Sequence, residues 1–180
     1  MAISSSDILF KYSLKTGTAG NQNPQSDPNA SLGKYISTTL WAGGTLHDLF
    51  DPVTGTENLN NNIDYRCIFI HNNHGSLTFT GVVIWIFSTP SVVTTESIGV
   101  DPALASAITS STAQAAQVSI DTATPAGVTF SAPLTEGAGL SIGDLPPGQC
   151  RAIWIKRATT NSAALNNDGV TLSFSGDTAA

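Results

Sequence analysis

A passage that occurs twice constrains this chain more than any other feature. Arg66-Cys67-Ile68-Phe69-Ile70, Asn72-Asn73-His74-Gly75 and Leu77-Thr78-Phe79-Thr80-Gly81 return as Arg151-Ala152-Ile153-Trp154-Ile155, Asn166-Asn167-Asp168-Gly169 and Leu172-Ser173-Phe174-Ser175-Gly176. Each copy reads as one hairpin. The first limb is basic, then Ile-aromatic-Ile. The turn is Asn-rich and ends in Gly, and the second limb alternates apolar residues with Thr or Ser, the period of a strand with one buried face. Antiparallel hairpins share turn chemistry in any case, but the Arg-x-Ile-aromatic-Ile agreement exceeds what strand propensity alone requires. The repeated positions hold no obvious nucleophile, acid–base pair or metal cluster, so they point to architecture and assembly.

A chain of 180 residues is long enough for one domain with a single core. Only 11% of its residues are charged, against about 25% in an ordinary soluble domain, while Ser and Thr supply 42 of the 180. A surface of hydroxyls and amides is cheaper to desolvate than one of ions, which favours neutral protein–protein contact. The net charge of −6 and the scattered basic residues exclude the basic stripe that nucleic-acid binding needs. No apolar run reaches the roughly 18 residues of a membrane span, and Met1 to Asp7 lacks the pattern of a secretory signal. A soluble protein is expected. Cys67 and Cys150 then read as buried thiols rather than a disulfide.

Ile8, Phe10, Tyr12 and Leu14 alternate with Leu9, Lys11 and Ser13 as in a strand, and a Gly-, Pro- and Asn-rich break follows from Thr16 to Gly33. Residues 1–33 are therefore expected to form an N-terminal strand and a flexible arm that reaches a neighbour, ahead of one β-sandwich domain over residues 34–180. Tyr35 to Leu40, Val118 to Ile120, Val128 to Phe130 and Leu140 to Leu145 read as further strands, Leu46 to Phe50 as a helical turn, and Asp101-Pro102 as one possible helix start. The count predicts an all-β fold: an antiparallel β-sandwich or jelly-roll-like barrel of about eight to ten short strands.

Val82 to Phe87 is apolar on both faces, and so is the first limb, where Tyr65, Cys67 and Phe69 oppose Ile68 and Ile70. A sandwich normally leaves one face to water, so the second face needs a subunit or partner. The interface candidates are Ile8, Phe10 and Tyr12 from the arm, and Arg66, Ile68, Ile70, Arg151, Ile153 and Ile155 from the limbs. The arginines also read as cross-strand polar pairs at a sheet end, Arg66 beside Asp64 and Arg151 beside Gln149; their planar forks suit a subunit contact.

Gly139-Leu140-Ser141-Ile142-Gly143 matches the G-x-S-x-G elbow of hydrolases, but no His follows Ser141 and Asp144 to Gly148 is a turn, not a helix start. It reads as a short strand between glycines. His71 and His74 read as a solvated turn, since metal binding requires three or four convergent ligands. The Asn60-Asn61-Asn62 and Asn166-Asn167-Asp168 runs lack the spacing of a known calcium loop and are the residues expected where the backbone turns through positive φ. Asn29-Ala30-Ser31 is a glycosylation sequon in form only. Neither catalytic residues nor a cofactor or metal site is expected.

Four blocks resemble those of structural proteins of tailed-bacteriophage virions: Ser31 to Thr39, Asp64 to Asn72, Gly127 to Pro133 and Gly148 to Arg157. The kind most resembled is the small capsid decoration (cement or auxiliary) protein. The resemblance implies a non-enzymatic β-domain, made in the host cytoplasm and carried on the capsid surface of the virion, which binds the major capsid protein of an assembled shell, often as trimers. It leaves open a place in the tail, neck or fibre base. A carbohydrate-binding or adhesion module is the alternative of another class; it requires clustered exposed aromatics, and here Trp85 and Trp154 read as buried, with Trp41 the only Trp at a loop edge.

Overall fold

The computed structural model describes residues 2–89, 94–163 and 169–179. Its strands in chain order are β1 (Ile8–Leu14), β2 (Tyr35–Leu40), β3 (Ile63–Asn72), β4 (Thr78–Ser88), β5 (Thr94–Val100), β6 (Ser106–Ala107), β7 (Leu140–Leu145), β8 (Gln149–Thr159) and β9 (Thr171–Ala179), with one short helix, α1 (Gly55–Asn60), between β2 and β3. The fold is all-β and antiparallel. One sheet runs β2-β1-β3-β8-β5, with β6 also on β8, and a three-stranded sheet runs β7-β4-β9.

The two copies of the repeat are not hairpins. In each, the first limb (β3 or β8) lies in the large sheet and the second (β4 or β9) in the small one. The five residues from Asn73 to Leu77 are enough to cross the roughly 10 Å between packed sheets, and Asn72 holds that corner: its Nδ2 donates to Leu77 O at 2.9 Å and to Leu145 O at 2.8 Å. The matching turn at Asn166-Asn167-Asp168 lies outside the described residues. The copies pair with each other instead. β3 and β8 are neighbours, with Cys67 opposite Trp154 and Ile68 opposite Ile153, and β4 and β9 are neighbours in the second sheet.

Alternation then builds two cores. Ile68, Ile70, Ile153, Ile155 and Ile98 of the large sheet meet Phe79, Val82, Ile84, Ile86, Ile142 and Leu145 of the small one. On the opposite face of the large sheet, Ile36, Tyr65, Cys67, Phe69, Cys150, Ala152 and Trp154 are covered by Leu32, Ala115 and Val118, with Val128 and Phe130 packed against them. The double apolar face of the first limbs is thus covered by the chain itself.

This second cover is made of segments expected otherwise. Val118 to Ile120 and Val128 to Phe130 form no strand, and Asp101-Pro102 starts no helix. Asp101 is instead a buried anchor: its carboxylate accepts from Ala103 N, Ala116 N and Trp154 Nε1, each at 2.9 Å. Gly33 shows how close the layers come, because a Cβ there would stand 1.9 Å from Ala116 O. Leu46 to Phe50 is a series of turns, and the helical turn falls later at α1, where Thr54 and Glu57 form a capping box and Asn61 closes the helix at φ 54°.

The N-terminal segment differs from the arm expected of it. β1 lies inside the large sheet, between β2 and β3. The break after it is bonded to its own molecule: Gly20 N to Ser110 O, Asn21 N to Ile36 O, Thr38 N to Asn23 O, and buried Ser31 Oγ to Cys67 O at 2.6 Å. Side-chain and backbone hydrogen bonds replace the apolar cover that its composition lacks.

Candidate interaction surface

Most residues expected at an interface are interior. Ile8, Tyr12, Ile68, Ile70, Ile153 and Ile155 belong to the core between the sheets, and Phe10 is half-buried in edge contacts with Trp41 and Phe174. The small sheet supplies the cover that the sequence assigned to a partner. Tyr12 donates to Asp48 O, and burial raises the pKa of its hydroxyl.

Arg66 is also interior, at the end of that core. Its guanidinium donates to Leu49 O and Tyr65 O at 3.1 Å and to Asn29 Oδ1 at 2.8 Å, and it pairs with Asp51 and Asp121 at 3.3 Å. Asp64, expected beside it, pairs instead with Arg157 directly opposite on β8, at 2.7 Å. Phe50 contacts both guanidinium groups, 5.3 Å from that of Arg66 and 4.7 Å from that of Arg157. Two cations, three carboxylates and one ring therefore fasten the segment around residues 49–51 to the sheet. Arg151 is half-buried and caps backbone carbonyls, donating to Ile142 O and, at 3.4 Å, to Asp101 O.

Beside that network a cleft of about 1140 Å³ opens between the segment from Trp41 to Asn58 and the ends of β5, β8 and β9, with Phe10, Trp41, Phe50, Glu96 and Arg157 in its wall. In its wall Arg157 pairs with Asp64 and Asp51, and Glu96 accepts from the Thr94 hydroxyl. Burial raises the pKa of Asp48 in the same wall.

The histidines divide. His74 occupies a turn, its Nδ1 accepting from Ser76 N at 3.2 Å and Leu77 N at 3.0 Å. His71 is not in a solvated turn: it lies on β3, 1% exposed, with neither ring nitrogen hydrogen-bonded. Burial, aided by the nearby Lys11 ammonium, lowers its pKa to about 4. Cys67 and Cys150 are free, buried thiols in one core, as their positions implied. Ser141 lies in strand β7, where a strand between glycines was expected, and not at a strand-to-helix turn. Among the described residues no three His, Cys, Asp or Glu side chains converge as a metal site.

What remains partly uncovered is the outer face of the small sheet. Val82, Ile84 and Ile86 point into the core, so Val83, Trp85 and Phe87 point away from it. Val83 and Trp85 are half-buried and Phe87 is 68% exposed. Their cross-strand neighbours are serines, Ser141 and Ser175 beside Val83 and Ser173 beside Trp85, but Ser175 Oγ donates to the Glu136 carboxylate and Gly139 lies close against Val83. Leu134, 64% exposed, follows Pro133, whose carbonyl accepts from Ile86 N. Trp85, read as buried from its apolar run, thus belongs to this strip. The signal was present in Val82 to Phe87, which is apolar on both faces; the sequence alone does not say which strands the loops cover. No protein-family model, curated protein or solved structure matches the chain.

Proposed function

We propose that this chain is a non-enzymatic structural protein of a tailed-phage virion, which binds and stabilises the capsid shell through the outer face of its small sheet. One observation carries the reading: the large sheet is covered on one face by the small sheet and on the other by loops of the same chain, while the outer face of the small sheet keeps Phe87 exposed and Val83 and Trp85 half-buried beside Ser141, Ser173 and Ser175. Such a strip loses little on desolvation and gains apolar burial, as a contact surface requires. The partner in this reading is the major capsid protein, and repetition over many shell sites compensates for modest affinity at each.

Purified protein added to bare expanded shells is expected to cosediment with them and to raise their melting temperature. Trp85→Ser with Phe87→Ser is expected to abolish both effects while the protein stays folded. Absence of binding at saturating protein overturns the proposal. Cryo-electron microscopy of virions separates the shell from the tail, neck or fibre base. The half-buried Trp85 next to the exposed Phe87 also fits a sugar-binding face, so a glycan-array signal lost in the same variant would assign the strip to carbohydrate.

A further inference from the structure

The four outer strands of the two sheets are not treated alike. On β2, Ile36 O accepts from Asn21 N and Thr38 N donates to Asn23 O; on β5, Ile98 and Ser131 exchange backbone hydrogen bonds. On β7, side chains cap the carbonyls, Arg151 that of Ile142 and Asn72 that of Leu145. β9 differs. Among the described residues its backbone has no partner on the side away from β4, and its one bond to the N-terminal segment is through a side chain, Ile3 N to Thr178 Oγ1 at 3.1 Å. A groove of about 440 Å³ runs along Leu172 to Gly176, walled on its far side by Ile3 to Ser5 and Ile8.

Free strand edges are normally blunted by lysine, proline, a bulge or brevity, because a row of unpaired N–H and C=O groups templates another strand. β9 spans nine residues, contains neither Lys nor Pro, and has Asp177 as its one charge; the irregularities in its ladder with β4 put the extra residues on β4. We infer that this edge pairs antiparallel with the β9 of a second copy of the chain, about a two-fold axis at Phe174, joining two small sheets into one of six strands.

The sequence of β9 is self-complementary about that residue. Ser173 meets Ser175 of the other copy, a hydroxyl pair favoured across strands in which Ser175, already donating to its own Glu136, accepts. Leu172 meets Gly176, so bulk faces a residue without a side chain. Thr171 meets Asp177, which keeps the two carboxylates at opposite ends of the ribbon instead of face to face. The arrangement is isologous and closes at two copies, unlike the threefold form that the virion resemblance implies. It stands whether or not the protein binds a shell.

Sedimentation of the full chain over a concentration series tests it. The unmodified protein is expected to run as a dimer. Ser173→Lys with Ser175→Lys sets like charges opposite one another and is expected to weaken dimerisation at least ten-fold. Ser173→Glu with Ser175→Lys sets opposite charges in the same two places, keeps a cation beside Glu136 and is expected to restore it, which separates loss of pairing from loss of folding. A monomer or trimer at every concentration, or a dimer indifferent to the charge pattern, overturns the inference.

Discussion

Ile68 and Ile153 hold the same position in the two copies of the repeat, and they lie directly opposite each other on β3 and β8. A local two-fold axis therefore passes between them, with Arg66 opposite Ile155 on one side and Ile70 opposite Arg151 on the other. Both isoleucines are fully buried. Ile68→Ala and Ile153→Ala are each expected to cost about 2–5 kcal/mol in urea unfolding, and by similar amounts. The double variant should depart from additivity because the two cavities merge. A large cost at one site and none at the other would contradict the local symmetry.

Asp64→Ala leaves Arg157 buried with Asp51 as its remaining anionic partner, and is expected to cost about 3 kcal/mol. The same change loosens the hold on the segment bearing Phe50, because the Arg157 guanidinium donates to Asp51 O at 2.6 Å and contacts the Phe50 ring. Limited proteolysis should therefore cut between residues 42 and 54 sooner than in the parent protein. An unchanged cleavage pattern would show that the ion pairs do not fasten this segment.

His71 makes folding sensitive to acid. Its folded pKa of about 4 lies below its ordinary value of 6.5, so the unfolded chain takes up a proton that the folded chain refuses. Nothing is contributed above pH 6.5; stability then falls as pH drops towards 4 and loses no more below that, a total of about 3 kcal/mol. His71→Leu removes this component. Denaturant midpoints measured at pH 7, 5.5 and 4 should decline less steeply in the variant; parallel declines would exclude the histidine as the cause.

Burial also governs the thiols. It pushes the Cys150 pKa up to about 12 and that of Cys67 well above its usual range. Neither should react with an aromatic disulfide reagent at pH 8 in the folded protein, and both should react in denaturant. Fast labelling of the native protein would place one of them at the surface.

Period-2 alternation and the doubled passage made the all-β class and most strands legible, because inward isoleucines and turn residues are local signals. The partner of each limb was not. A five-residue turn is compatible with a hairpin or with a crossing between sheets, and only the packing of Ile84 and Ile86 onto Ile68 and Ile153 decides. The break after β1 misleads for a related reason: Ser31, Gly33 and Asn21 are loop residues by composition, yet each is fixed by a long-range hydrogen bond or close approach that leaves no local trace. Arg66 and Asp64 were placed at the right end of the sheet, but β8 had to be seen alongside β3 before Arg157 could be recognised as the partner of Asp64. The apolar strip was half legible, since Val82 to Phe87 declared two apolar faces without declaring that one stays bare.

The pairing of β3 with β8 also sets a timetable. A hairpin closes as soon as its second limb is made, whereas Ile68 must wait for Ile153, and such long-range closure slows folding. On the ribosome the six residues from Tyr65 to Ile70 emerge without their central neighbour. During that interval β3 has only β1 beside it, and the chain depends on its Ser- and Thr-rich flanks, or on a chaperone, to keep the free edge of β3 from finding the wrong strand.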